Sequence, residues 1–111
     1  MTADAGAQLR KGVVEYCILG LLDREPMYGW QLSERLVQAG LVASIGTLYP
    51  LLGRLRAQGL ATAFDQPSTA GPVRKYYRLT PLGRDQLNAF RLQWGPFTAS
   101  VHRLIGEDIH D

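Results

Sequence analysis

Residues 44–59 of the chain read S-I-G-T-L-Y-P-L-L-G-R-L-R-A-Q-G. Ser44 is placed to cap the start of a helix, and Gly59 is placed to end it in a left-handed conformation. Pro50 has no amide donor, so we expect a tightened first turn. Apolar residues recur at the spacing of one helix face, which predicts a helix lying on a core; they are Ile45, Leu48, Leu51, Leu52 and Leu55.

The outward side of this predicted helix is polar and suited to a DNA groove. It carries hydroxyl groups, one of them aromatic, and a guanidinium group, which hydrogen-bond to base edges or phosphates. These residues are Thr47, Tyr49, Arg54 and Gln58. An ordinary amphipathic surface helix would show the same pattern, so the neighbouring segments must decide between the two interpretations.

The segments before residue 44 predict two further helices. Residues 8–24 are apolar on more than one side, which predicts a helix that a second subunit helps to cover. Residues 28–40 predict a second helix that Gly40 ends. The link from Gly40 to Ser44 is short, so the helices over residues 28–40 and 44–59 form a helix-turn-helix.

The segments after Gly59 predict a hairpin. Residues 60–65 and 73–80 have the pattern of strands, and residues 66–72, rich in Pro, Ser, Thr and Gly, predict a flexible tip between them. A hairpin that follows a helix-turn-helix is a wing, and Arg74 and Lys75 are expected to meet a phosphate backbone or a minor groove.

A long helix is predicted from Thr80, which can cap it, and Pro81, which suits its first position. Its apolar row has no partner left in the chain, which indicates dimerisation through this helix, and Pro96 after Gly95 predicts a kink or two helices that meet at Trp94. The expected fold is mainly α with a β-hairpin wing. It is a winged helix-turn-helix DNA-binding domain over residues 8–80 plus a C-terminal dimerisation helix over residues 81–106, kinked near residues 95–96.

Composition sets the limits on function. The chain has 111 residues, one cysteine and a net charge of +2, which predicts one domain with Cys17 as a reduced, buried thiol. Its short apolar run predicts no membrane span, and we expect a soluble cytoplasmic protein. Residues 54–103 hold eight basic and two acidic residues, a net charge of +6 that leaves −4 for the rest, which favours a phosphate-binding face.

Other classes of function have weaker support. An enzyme is not expected, because the only two histidines, His102 and His110, lie near the tail and no carboxylate pair has a useful spacing. A metal-responsive regulator would use His102, Asp108 and His110 with ligands from a partner chain. A winged helix can also act as a protein-interaction module. We expect no cofactor.

Three segments together resemble the PadR family of bacterial winged-helix transcriptional regulators. They are L-L-D-R-E-P-M-Y-G-W-Q-L over residues 21–32, G-T-L-Y-P-L-L-G-R-L over residues 46–55 and R-K-Y-Y-R-L-T-P-L-G over residues 74–83. With one helix after the wing, the chain is similar to the short subfamily that includes a multidrug-sensing repressor. The resemblance implies a homodimer that binds a palindromic DNA operator and is released by a small aromatic or other planar effector.

The resemblance also implies roles for individual residues. Ser44, Thr47 and Tyr49 fall on recognition-helix positions that face DNA, Arg74 and Lys75 fall on the wing, and we add Arg54 as a further backbone contact. Trp94 matches a tryptophan that pairs across the dimer axis to form a slot for planar ligands, which we expect Val14 and Phe97 to border. Two departures from the family pattern are Pro72, where family wings often have arginine, and the Gly95–Pro96 pair after Trp94.

Overall fold

The computed structural model describes residues 9–42, 44–69 and 71–106. Four helices and three strands lie wholly within these residues. They are α1 (Val14–Arg24), β1 (Met27–Tyr28), α2 (Gly29–Gln38), α3 (Ile45–Ala57), β2 (Ala61–Ser68), β3 (Gly71–Leu79) and α4 (Pro81–Ile105). The predicted winged helix-turn-helix with a long last helix is confirmed. None of the helices in these ranges is long and apolar enough to cross a membrane.

The core is formed by one side of each of the first three helices and by the inner face of the sheet. Large aliphatic side chains at helical spacing fill it, which is the stabilisation expected of amphipathic helices. The most completely buried are Ile18, Leu19, Leu32, Leu36, Leu48, Leu52 and Leu55, and the sheet adds Ala61, Tyr77 and Leu79.

Glycines end α2 and α3 as predicted. Gly40 has a φ of 76° and Gly59 a φ of 77°, the left-handed conformation that other residues rarely adopt. After α3, the amide of Leu60 donates to the carbonyl oxygen of Leu55 at 2.9 Å and that of Gly59 donates to Arg56 at 3.0 Å. These are the two hydrogen bonds of a Schellman motif, so the end of the recognition helix is fixed by local chemistry.

The first helix is shorter than predicted. It begins at Val14, not at residue 8, which itself lies outside the described residues. Gly12 has a φ of 81°, and the amide of Val13 donates to the Arg10 carbonyl oxygen at 3.1 Å. A left-handed residue interrupts an α-helix, so a turn separates Leu9 from α1.

The wing differs from the prediction in length. Residues 66–72 were predicted as a flexible tip, but the ladder runs on through Gln66, opposite Arg74, to Ser68, opposite Gly71. The register shifts between Gln66 and Ser68, so Pro67 lies at a bulge, where the missing amide of a proline is tolerated. The hairpin is therefore a long paired ribbon with a short turn.

A third strand was not predicted. Met27 pairs with Tyr77 and Tyr28 with Tyr76, so the antiparallel sheet has the order β1-β3-β2. Tyr28 was predicted as the first residue of the helix over residues 28–40, and the structure places it in this strand instead. Because β1 ends where α2 begins, this pairing joins the start of the helix-turn-helix to the wing.

The junction before α4 is tightly built. Thr80 Oγ1 accepts from the amide of Gly83 at 2.9 Å, as its predicted capping role requires, and donates to the carbonyl oxygen of Gly59 at 2.7 Å. A Cβ at Gly83 would collide with the carbonyl oxygen of Leu60 and lie 2.7 Å from Cδ1 of Leu79. Only a glycine at position 83 allows the start of α4 to lie this close to the Leu60 carbonyl oxygen. From there α4 continues without a break to Ile105, so Gly95–Pro96 does not split it.

Candidate nucleic-acid interface

The recognition helix α3 presents the side chains predicted to face outward. Thr47, Tyr49, Arg54 and Gln58 are all exposed, while Leu48, Leu52 and Leu55 are buried. In the described part of the chain the Ser44 hydroxyl makes no capping hydrogen bond, so that prediction was wrong. The Thr47 amide already donates to the Ser44 carbonyl oxygen at 3.2 Å, and the Thr47 hydroxyl donates to the same oxygen at 2.7 Å. The amide bond spans three residues instead of the four of a regular α-helix, so the first turn of α3 is tightened as we expected.

A groove of about 510 Å³ lies between α3, the start of α2 and strand β3. We call it the wing groove. Its lining combines three basic side chains with four aromatic residues, of which Trp30 and Tyr49 are exposed, the composition of a surface that meets nucleic acid. The basic residues are Arg56, Arg74 and Lys75, and the aromatic ones are Tyr28, Trp30, Tyr49 and Tyr77.

Two side chains of the wing groove are restrained by neighbouring residues. The guanidinium of Arg74 lies 4.6 Å from the ring centre of Tyr28, a cation–π contact that restrains it while leaving the side chain exposed. The Tyr49 ring packs on Gly29, where an added Cβ would lie 3.2 Å from the Tyr49 hydroxyl oxygen. The groove is therefore partly preorganised, which lowers the entropy lost when a partner binds.

Arg74 and Lys75 lie on the arm of the wing, not at its tip. Arg74 is paired with Gln66 and Lys75 with Asp65 in the ladder. Burial raises the pKa of the Tyr77 hydroxyl, which therefore stays protonated and neutral. Pairing in the ladder fixes the backbone positions of Arg74 and Lys75.

Arg54 and Arg56 face different sides of α3. Arg54 Nε lies 2.8 Å from Glu15 Oε2 of α1, and Arg54 does not line the wing groove. Arg56, which the sequence analysis did not select, does line it together with Tyr49 and Gly53. These three residues are spaced i, i+4 and i+7, so their common helix face was a signal available in the sequence.

A second feature is a row of aromatic rings on α1 and α4. The Tyr16 and Phe90 rings are stacked, with centres 4.1 Å apart and planes 7° apart. Phe90 lies 5.3 Å from Trp94, and Trp94 lies 6.3 Å from Phe97. The row borders a cleft of about 370 Å³, the aromatic cleft, whose polar edge is formed by Lys11, Gln86 and Gln93.

Val14 does not lie in the aromatic cleft. It is buried in the core, and its neighbour Val13 lines the cleft instead. The structure thus brings two of the three predicted effector residues, Trp94 and Phe97, to one cleft. Because Gly12 delays the start of α1, the first turn presents Val13 to the cleft and turns Val14 inward.

Comparison with known proteins identifies the family. The model of the transcriptional regulator PadR-like family matches residues 18–89. The chain belongs to this family. A curated member, transcriptional regulator Rv3488 of Mycobacterium tuberculosis, is 36% identical over 84 residues, which cover 76% of this chain and 78% of the relative. The predicted family is confirmed, and it is a family of regulators rather than of enzymes.

Solved PadR structures have the same architecture. A PadR-like transcriptional regulator from Bacillus cereus is 39% identical, with a TM-score of 0.79 over 91% of this chain and 99% of its own. PadR of Bacillus subtilis, solved in complex with operator DNA, is 26% identical, with a TM-score of 0.63 over 70% of this chain and 46% of its own. The latter is longer, and this chain matches less than half of it.

The distal half of α4 carries large apolar side chains that this PadR-family chain does not cover. Leu92 is 80% exposed and Leu104 is 86% exposed, and Phe97, Val101 and Ile105 are exposed as well. Only Gly83 and Leu87 of α4 are buried. Phe97, Val101 and Leu104 are spaced i, i+4 and i+7 and so form a row on one face of the helix, which is typical of a surface that packs on another protein chain.

The structure gives little support for a metal site or a redox centre. Within residues 9–42, 44–69 and 71–106 no group of three or more His, Cys, Asp or Glu side chains is placed to hold a metal ion. His102 is exposed on α4, and Asp108 and His110 lie outside the described residues. Cys17 is half-buried, and burial raises the pKa of its thiol, which keeps it protonated and unreactive.

Proposed function

We propose that this PadR-family chain is a homodimeric repressor of transcription that binds palindromic operator DNA in the cytoplasm and is released by a planar aromatic effector. In this proposal residues 8–80 bind DNA and residues 81–106 form the dimerisation helix. The observation that carries the proposal is the wing groove, which puts Arg74 and Lys75 beside Tyr49 and Arg56 of the recognition helix.

Each part of the DNA-binding surface has its own task in this proposal. Helix α3 enters the major groove, where Ser44, Thr47 and Tyr49 read base edges, because hydroxyl groups hydrogen-bond to base donors and acceptors. Arg74 and Lys75 neutralise phosphates and fix the register. The operator complex of Bacillus subtilis PadR supports this assignment through its related fold.

Dimerisation is supported by the uncovered apolar side chains of α4. A two-fold pairing through α4 and α1 would bury Leu92, Phe97 and Leu104, which are otherwise in water. It would also set two α3 helices about 34–36 Å apart, the distance between successive major grooves on one side of a duplex.

The effector part of the proposal rests on the aromatic cleft. A planar compound would stack on Trp94 and Phe97 of each subunit near the two-fold axis, since aromatic faces attract one another in offset stacks. A ligand that binds better at one separation of the two subunits shifts the dimer towards that separation, and the spacing of the α3 helices changes with it.

The test of DNA binding is a salt titration. Duplexes recovered from genomic fragments by pull-down are titrated at 50 and 200 mM salt, and a protein that neutralises several phosphates loses affinity steeply between the two. Arg74→Gln and Lys75→Gln should each flatten this dependence. Arg24→Gln, on α1 and outside the wing groove, removes the same charge and should leave it unchanged. Equal effects of all three variants would contradict the proposed interface, and no duplex binding by the wild type would favour a protein-interaction module.

The test of effector binding uses tryptophan fluorescence. Trp30 lines the wing groove, so the Trp30→Phe variant leaves Trp94 as the reporter of the aromatic cleft. A planar polyaromatic dye should quench it in a saturable way, and Phe97→Ala should weaken that binding. Quenching that never saturates, or a dye affinity that Phe97→Ala leaves unchanged, would show that the dye does not bind in this cleft.

A further inference from the structure

A second cleft adjoins the recognition helix on the side away from the wing. It lies between the start of α1 and α3 and has a volume of about 450 Å³. We call it the α1–α3 cleft. Thr47, Leu51 and Arg54 of α3 line it, spaced i, i+4 and i+7, whereas the wing groove takes Tyr49, Gly53 and Arg56 from α3. The two depressions thus flank α3 on different faces.

The charge of the α1–α3 cleft favours an anion. Arg10, Lys11 and Arg54 line it, and Glu15 is the one acidic residue in its lining. The cleft therefore has a net charge of +2 with Glu15 ionised. This is a concentration of positive charge in a chain whose total is also only +2.

Glu15 offsets the positive charge of Arg54 in particular. Its Oε2 atom lies 2.8 Å from Arg54 Nε, yet within the described part of the chain this buried oxygen accepts no hydrogen bond. The pair therefore has the charge attraction of a close contact without a well-aligned hydrogen bond, so Arg54 gives up no hydrogen bond to Glu15 when it turns towards another anion. The guanidinium of Arg54 remains half-exposed and can turn towards another anion.

A recognition helix in a major groove has a phosphate backbone on each side, because the groove is only about 12 Å wide. The wing groove supplies cations for one backbone. We propose that the α1–α3 cleft binds a phosphate of the other backbone, and that Glu15 limits the strength of this contact by holding Arg54. This inference rests on the proposed function, since it concerns the same DNA complex, but nothing in that proposal requires this second contact.

The inference is tested by two variants with opposite effects on the salt dependence of duplex binding. Lys11→Gln removes one phosphate contact and should flatten the slope of log K against log salt by about 0.9 for each bound protomer. Glu15→Gln releases Arg54 to the duplex and should steepen the slope by about 0.9 per protomer. It should also tighten binding, and this gain should shrink about 3.5-fold per protomer between 50 and 200 mM salt.

The controls carry the same charge changes at the other end of α1. Arg24→Gln matches Lys11→Gln, and Asp23→Asn matches Glu15→Gln; neither Arg24 nor Asp23 lines the α1–α3 cleft. Both controls should keep the wild-type slope. A titration with inorganic phosphate alone separates a free-anion site from a DNA contact: phosphate binding with unchanged duplex slopes for Lys11→Gln and Glu15→Gln would overturn the assignment to DNA.

The outcomes separate the two proposals. The α1–α3 contact is overturned if the wild type binds duplex with a steep salt dependence and the Lys11→Gln and Glu15→Gln variants behave as their controls do. The proposed function is then unaffected. Weaker binding by Glu15→Gln would also overturn it, because Glu15 would then assist Arg54 instead of restraining it. A wild type that binds no duplex overturns both proposals. Melting temperatures of all four variants show whether each is folded.

Discussion

Replacing Gly53 by alanine should stabilise the protein and weaken its binding to DNA. Gly53 lies in the interior of α3, it is exposed, and an added Cβ would meet nothing within 4 Å. Glycine in a helix interior costs about 1 kcal/mol relative to alanine. The fold therefore gives no reason for a glycine here, and the position costs stability.

The wing groove supplies a reason. Gly53 lines it between Tyr49 and Arg56, one turn from each. A glycine allows a ligand backbone to approach a helix closely, and a methyl group at this point would push the duplex away from both neighbours. A lost contact worth about 1.4 kcal/mol per protomer corresponds to about a tenfold loss of affinity, and the loss is larger for a dimer on two half-sites.

Two measurements on one variant test this reasoning. Gly53→Ala should melt about 4 °C higher than the wild type in a thermal scan and bind the operator at least about tenfold more weakly in fluorescence anisotropy. The control is Gly20→Ala on α1, where a Cβ also meets nothing within 4 Å; it should gain stability and keep the operator affinity and the sedimentation behaviour of the wild type. Wild-type affinity in a stabilised Gly53→Ala variant would refute the close approach of DNA to α3 at this point.

Three further predictions follow from the packing and the ion pairs. Gly83→Ala should lower the free energy of unfolding in urea by about 3 kcal/mol, because the new methyl group collides with the Leu60 carbonyl oxygen; an unchanged midpoint would contradict this packing. Leu104→Glu should convert the dimer into monomers in sedimentation while the helical circular dichroism is kept, because Leu104 is 86% exposed in the single chain; a dimer that persists would contradict pairing through this end of α4. The hydrogen bond from Arg84 holds the pKa of Asp23 below its ordinary value. The stability that this carboxylate contributes is therefore present above about pH 4 and is lost as the pH falls through the lower pKa of the folded state. The free energies of unfolding of the wild type and Asp23→Asn should converge in acid, and a constant difference between them would argue against the ion pair.

Local chemistry was sufficient to predict the ends of the helices. Gly40, Gly59 and Thr80 act through hydrogen bonds to residues no more than five positions away, apart from the Thr80 contacts with Gly59 and Leu60. Such signals are complete within a short stretch of sequence. The recognition helix and the start of α4 were accordingly placed to within a residue or two.

Contacts between distant segments were harder to predict. Strand β1 is only two residues long, and its partners Tyr76 and Tyr77 lie far along the chain, so no local pattern announces it. The composition of residues 66–72 predicted a break, but ladder pairing with β3 overrides that preference and confines Pro67 to a bulge. In both places tertiary pairing decides the conformation.

The same limit applies to the candidate site. The outward face of α3 could be predicted from its apolar row, and Thr47 and Tyr49 are exposed as expected. The arginine that faces the wing was missed, although Arg56 shares a helix face with Tyr49 and Gly53; what the sequence does not show is the contact of α1 with the other face of α3. Glu15 draws Arg54 to α1, and Arg56 is left beside the wing.

Helix α1 connects the two candidate sites. Glu15 contacts Arg54 of α3, and the next residue, Tyr16, stacks on Phe90 in the aromatic cleft. Lys11 and Gly12 line both this cleft and the α1–α3 cleft. A ligand that shifts the first turn of α1 therefore changes the surroundings of a cation beside the recognition helix, which gives the proposed regulation a short physical route.

Thermodynamic linkage makes this coupling measurable from both ends. If a planar effector weakens operator binding by a given factor, the operator must weaken effector binding by the same factor. The two tryptophans report on the two ends separately, because Trp94 lines the aromatic cleft and Trp30 lines the wing groove. In a Trp30→Phe background, Trp94 fluorescence gives the effector affinity with and without saturating operator, and anisotropy of labelled operator gives the DNA affinity with and without saturating effector. Equal factors are expected, and an operator that leaves the Trp94 titration unchanged while the effector releases DNA would mean that the effector acts at a site other than this cleft.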